Sequence, residues 1–119
     1  MEGWAGKYLE IDLTVGKVSV HNLPVEFAHQ FLGGRGLGAR FLWDLVGPEV
    51  DPLSPQNVLI FTAGPLTASG MQTSNRFSVT TKSPLTGTTR DANSGGWWGM
   101  QFKRTGYDAL VIRSATKVT

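Results

Sequence analysis

Apolar and polar residues alternate with a period of two along Lys7-Tyr-Leu-Glu-Ile-Asp-Leu, the pattern of a half-buried strand. Thr14-Val-Gly-Lys supplies a turn, and Val18-Ser-Val-His reads as the returning strand of a hairpin. From Pro24 the period changes. Phe27, Phe31 and Leu32 recur at helical spacing behind a proline in the favoured first-turn position. Gly33-Gly-Arg-Gly interrupts that helix, and a second, Leu37 to Val46, places Leu37, Phe41, Leu42 and Leu45 on one face. Pro48 to Asn57 holds three prolines and is irregular. Val58-Leu-Ile-Phe-Thr-Ala is a continuous apolar run, read as a buried central strand. Arg76 to Lys82 alternates again, with Phe77 and Val79 on one face and Ser78 and Thr80 on the other. A short helix is expected over Gly95–Thr105, then a last strand over Asp108–Arg113.

Four or five strands and two or three helices without regular alternation predict an α+β fold, a mixed β-sheet with short helices. At 119 residues the chain has the size of one domain. The final strand, close to the C-terminus, reads as an exposed edge, and natural proteins usually cover such edges.

Composition sharpens this picture. The charged share is 17% and there are 15 glycines, which suggests a surface covered by a ligand or another protein. The formal charge is +2, and no Lys/Arg run exceeds two residues, so a nucleic-acid-binding stripe is not indicated. The absence of cysteine excludes disulfides, thiolate zinc sites, iron–sulfur ligation and a Cys nucleophile within this chain. His21 and His29 alone do not make a metal site. No signal-like apolar core and no 18-residue apolar run occur, so a cytoplasmic location without a membrane span is expected.

Candidate chemistry concentrates between Ala63 and Tyr107, where Gly, Ser, Thr and Asn surround a few aromatics and Arg76. Small residues let backbone amides approach a ligand closely. Arg76 reads either as a solvated charge or as a planar fork gripping phosphate. Asn93-Ser94-Gly95-Gly96 reads as a helix cap whose glycines bare amides to a phosphate or ring edge, or as an ordinary cap. Of Trp97 and Trp98, one is expected to be buried and the other exposed or at an interface. Lys82-Ser-Pro-Leu-Thr-Gly-Thr-Thr adds hydroxyls and an ammonium, and Asp91 reads as a turn residue. Gly34-Arg-Gly-Leu-Gly-Ala fits the dinucleotide fingerprint by letter, but a helix precedes it where a strand is required. It reads better as a helix–helix turn, from which Arg35 could face an anion. No carboxylate pair and no Ser–His–Asp set is evident, so the chain binds more than it reacts.

Trp4-Ala-Gly-Lys-Tyr, Leu32-Gly-Gly-Arg-Gly-Leu, Asp51-Pro-Leu-Ser-Pro, Gly64-Pro-Leu-Thr, Thr81-Lys-Ser-Pro-Leu-Thr-Gly, Asn93-Ser-Gly-Gly and Gly106-Tyr-Asp-Ala together resemble the N-terminal domain of the aldehyde ferredoxin oxidoreductase family, in order and spacing over essentially the whole chain. The resemblance implies a tungsten (or molybdenum) ion held by two pterin dithiolenes, each with a phosphate. It implies oxidation of aldehydes to carboxylic acids, with electrons leaving through a [4Fe–4S] cluster to ferredoxin. It also implies a domain of two β-sheets related by an approximate twofold, of which this chain supplies one half. The family's pterin contacts fall here on Arg76, Asn93 and Gly95, with Ser94 and Gly96 alongside, and a magnesium ion bridging the phosphates takes the Asn93 carbonyl. Thr73-Ser-Asn75 stands where relatives often carry glycines. The family's cluster cysteines, its acid–base groups and the second half of the domain have no counterpart here. Three readings follow: a fragment, a small subunit completed by a partner, or a half-domain completed by a homodimer. The alternative function is a non-catalytic protein for pterin storage or delivery.

Overall fold

The computed structural model describes residues 3–13, 16–54, 56–72 and 74–113. The expected turn at Thr14 and Val15 and the departure at Thr73 therefore lie outside the described residues. Nine elements follow one another: β1 (Lys7–Asp12), β2 (Lys17–Asn22), α1 (Val25–Phe31), α2 (Gly34–Leu45), β3 (Val58–Thr62), β4 (Phe77–Lys82), β5 (Thr89–Ser94), α3 (Trp98–Arg104) and β6 (Ala109–Arg113). The strands form one mixed sheet in the order β2-β1-β6-β3-β4-β5. Only β1 and β6 run parallel; the other neighbours are antiparallel. The α+β expectation holds.

Two expectations are corrected. The last strand is not an edge: β6 pairs with β1 on one side and β3 on the other. Its Ala-Leu-Val-Ile run is apolar at successive positions, which suits a strand inside a sheet better than one at its margin. The strands at the margins are β2 and β5, and β5 is the one the sequence did not reveal. Thr-Arg-Asp-Ala-Asn-Ser lacks apolar alternation because an edge strand with little core contact needs none.

One sheet face carries the core. Leu37, Phe41 and Leu42 of α2 pack with Ala28 of α1 onto Val58, Ile60, Ala109 and Val111. The β4 alternation is occupied in an unexpected sense. Ser78, Thr80 and Lys82 are the buried positions, while Phe77, Val79 and Thr81 are half-buried on the opposite face. The polar side goes inward because α2 crosses β4 at very short range: a Cβ added at Gly38 would collide with the Thr80 hydroxyl. Only a small residue on the helix and a short one on the strand permit this approach. Lys82 is buried by spending its ammonium on the carbonyls of Val50 at 2.6 Å, Pro48 at 2.9 Å and Gly47 at 3.4 Å. It tethers the proline-rich segment and lies at the end of β4 remote from Arg76.

On the opposite face, Phe61, Phe77, Trp98 and Phe102 form an aromatic cluster under α3. Further along that face, Val18 and Val20 are 58% and 54% exposed and register beside Ile11 and Leu9, so this side is uncovered toward β2.

A buried ion pair joins the parts. Asp108 is inaccessible to solvent, and its carboxylate accepts from the Ala5 N–H at 3.0 Å, the Gly6 N–H at 2.8 Å and the Lys103 ammonium at 2.7 Å. The same ammonium donates to the carbonyls of Gly64 at 2.9 Å and Gly3 at 3.0 Å.

Removing one member of such a pair leaves the other charged and unpaired. Asp108→Asn is expected to lose about 3–5 kcal/mol, read as a lowered denaturant midpoint. Gly38→Ala is expected to lose about 1–3 kcal/mol through overpacking against Thr80, with the same readout. Burial, then the nearby Glu10 and Asp44 charges, raise the Tyr8 pKa above its ordinary value of 10.0. The native state thus keeps this proton to higher pH than the unfolded chain does. Stability is intact below the unfolded value and falls as pH rises through it. Alkaline unfolding of Tyr8→Phe should lack this component.

Candidate cofactor shelf

Arg76 immediately precedes β4 and is exposed. Among the described residues its guanidinium has no hydrogen-bond or ion-pair partner, in contrast to Arg35, Arg40 and Arg113. It stands between two concavities. On one side, Asn75, Arg76, Gly95 and Gly96 line a hollow of about 490 Å³. On the other, a cleft of about 480 Å³ runs between the α1–α2 turn at Leu32–Gly34, the post-β3 loop at Gly64–Thr67 and Arg76 itself.

The β4–β5 ladder sets the spacing of the expected site residues. Phe77 pairs with Ser94 and Ser78 with Asn93, so residues some 17 positions apart in sequence become neighbours. The Ser78 hydroxyl donates to the Asn93 side-chain oxygen, which fixes the orientation of that amide. Gly95 and Gly96 then leave the sheet. An added Cβ at Gly95 would meet no described atom within 4 Å, and its φ is not positive. Among the described residues, neither packing nor backbone geometry requires glycine there. An approaching ligand would.

The structure brings Arg76, Gly95 and Gly96 into one hollow, with Asn93 and Ser94 on the adjoining strand. It corrects the capping expectation: Asn93 and Ser94 belong to β5, and α3 begins at Trp98 behind Trp97 with no side-chain cap. Trp98 joins the aromatic cluster yet stays 42% exposed, and Trp97 is 74% exposed beside Gly96, so the expectation that one of the two is buried does not hold. Asp91 is a strand residue rather than a turn residue, and it holds Arg35 at 2.9 Å. Arg35 is therefore spent on a carboxylate of this chain. The glycines at 34–36 form the first turn of α2, so the helix–helix reading of that motif holds.

Sequence reasoning missed the cleft wall contributed by Leu32–Gly34, because it lies some 40 positions before Arg76. The signal available was the pair of glycine turns. A Cβ at Gly33 would lie 2.5 Å from the Ala63 carbonyl oxygen, which shows how closely the two turns abut. No group of three or more His, Cys, Asp or Glu occurs among the described residues. A metal at this shelf would rely on main-chain oxygens and on the ligand's own anionic groups. Among the described residues no helix is long and apolar enough to cross a membrane.

Residues 8–118 match the family described as aldehyde ferredoxin oxidoreductase, N-terminal domain. The tungsten-containing aldehyde ferredoxin oxidoreductase of Pyrococcus abyssi is 47% identical over 112 residues, covering 94% of this chain and 18% of the relative. That of Thermococcus kodakarensis is 42% identical, covering 98% and 19%. The WOR-like subunit of an aliphatic sulfonate oxidoreductase from Pyrococcus furiosus is 37% identical, again covering 98% and 19%. Among solved structures, the active-site complex BamBC of benzoyl coenzyme A reductase, bound to 1,5-dienoyl-CoA, superposes with a TM-score of 0.92 at 39% identity, over 95% of this chain and 17% of that one. The chain spans less than a fifth of the length of these relatives. Matched along nearly its whole length by both sequence and fold, the chain belongs to the aldehyde ferredoxin oxidoreductase N-terminal domain family.

Proposed function

We propose that this chain is a partial domain, residues 1–119, that binds pterin cofactor within a tungsten (or molybdenum) aldehyde oxidoreductase using ferredoxin as electron acceptor. It is incomplete as an isolated chain. The observation that carries this reading is an unpaired guanidinium, Arg76, standing over a hollow floored by Gly95 and Gly96. Those residues fit the group. Arg76 grips a cofactor phosphate with its fork, and the Ser94–Gly96 backbone approaches the pterin where a side chain would intrude. The Asn93 carbonyl would supply a ligand to a magnesium ion that offsets the phosphate charge. When bound, the metal–pterin group supplies the two-electron redox chemistry. This chain's residues bind and orient it, and the [4Fe–4S] cluster and acid–base groups come from elsewhere, since cysteine is absent here.

The aldehyde assignment rests on the names of relatives at 42–47% identity. The rest of the site comes from a subunit carrying the remaining domains, from a second copy of this chain, or from further residues of a longer chain of which this is a fragment. A relative named as a subunit supports the first. Pterin storage or delivery without catalysis is the alternative, favoured if cofactor is released intact to an acceptor protein.

Expression in a pterin-making host fed tungstate, followed by metal and pterin analysis and solution mass, tests the reading. Tungsten and pterin should co-purify. In Arg76→Ala, retention should fall roughly 10- to 150-fold, the equivalent of one charged hydrogen-bonding group worth about 1.5–3 kcal/mol. Wild-type protein free of both would overturn cofactor binding by this chain.

A further inference from the structure

The cleft beside Arg76 has an unusual lip. Leu32 follows α1 with φ 61 and ψ −68, and the Gly33 N–H donates to the Phe31 carbonyl at 2.7 Å. This is a γ-turn of the rare, strained hand, centred on a residue that is not glycine. Non-glycine residues seldom hold positive φ, and one that does needs surrounding structure to impose it. The imposing group is visible. The Trp4 indole N–H donates to the Leu32 carbonyl at 2.7 Å across 28 positions, while its ring stacks on His29 at 5.6 Å between centroids.

Trp4 is itself anchored. Gly3 accepts from Lys103, and the Ala5 and Gly6 amides donate to Asp108. Lys103 also holds Gly64, on the opposite wall of the cleft. One buried ion pair thus grips both walls: the Gly64 loop directly, and the Leu32 lip through Trp4.

We infer that Trp4 is a positioning residue of the cofactor cleft: its indole N–H holds the strained turn that sets Leu32–Gly34 opposite Arg76. The inference rests on the cofactor reading above for what the cleft serves. The turn geometry stands apart from it. Without the indole donor, Leu32 relaxes toward negative φ, and Gly33 moves off the Ala63–Gly64 backbone. The cleft widens on the side facing Arg76.

Trp4→Phe tests this, because it removes the donor and keeps a ring against His29. Two readouts are taken on the 119-residue chain. The first is amide hydrogen exchange in the cofactor-free form. Exchange at residues 32–36 should accelerate at least about tenfold, the equivalent of roughly 1.4 kcal/mol in local opening, while amides of β3 and β6 keep their wild-type rates. The second is tungsten and pterin retained after expression with tungstate, which should fall severalfold at an unchanged cofactor-free melting temperature. Unchanged exchange at 32–36 overturns the inference, as does acceleration spread evenly over the sheet, which marks a merely structural role. Local acceleration with wild-type cofactor retention overturns it too. If wild-type protein and Trp4→Phe are both free of cofactor, the functional reading falls alone, and the exchange pattern decides whether Trp4 sets the cleft.

Discussion

The Lys103–Asp108 ion pair is the constraint on which the arrangement of this chain depends. A carboxylate sealed from solvent is tolerable only when its oxygens are fully engaged by donors, and its partner's protons likewise. Here both conditions hold. Two backbone amides and an ammonium converge on Asp108, and that ammonium also reaches two carbonyls. With the carboxylate itself these are six groups from three separate parts of the chain: the segment before β1, the loop after β3, and the stretch from α3 to the start of β6. Their relative placement is therefore set by directional bonds in a poorly screened environment, where a shift of any one strands a charge. The two cleft walls are also joined directly, by the Gly34 N–H to the Ala63 carbonyl at 3.3 Å and by the Thr62 hydroxyl to the Gly34 carbonyl at 2.7 Å.

Much of the scaffold was legible because its elements obey simple periodicities. The β1–β2 hairpin, α1, α2, β3, β4 and β6 each stand where an alternating, helical or continuous apolar pattern marks them. What escaped reading did so for identifiable reasons. Strand β5 has almost no apolar signal because it lies at the sheet margin with little contact to the core. The interior position of β6 depends on a parallel pairing with β1 across about a hundred residues, which no local pattern encodes. The inward polar side of β4 follows from the close crossing at Gly38, a fact about two segments rather than one.

The site shows the same division. The density of small residues around Arg76 coincides in the fold with a hollow and a cleft, and among the described residues nothing requires glycine at position 95. The fate of individual charges was not readable. Arg35 is spent on Asp91 and Lys82 on three carbonyls, whereas Arg76 is left without a partner among the described residues. Which basic groups stay free is decided by neighbours brought in by the sheet, so only the folded arrangement sorts them.

The position of β6 has a consequence for how the molecule assembles. The sheet consists of two locally formed pieces: the β1–β2 hairpin and the β3-β4-β5 meander, each built from contacts near in sequence. They share no ladder except through Ala109–Arg113. A growing chain that has emerged only as far as Gly106 carries both pieces with a strand-wide gap between them, each presenting an unpaired apolar margin. Closing that gap requires β1 and β6, about a hundred positions apart, to meet, a large loop-entropy step. Strand β6 is the keystone, and the interval before it emerges is when these two pieces are most exposed to pairing with the wrong neighbour.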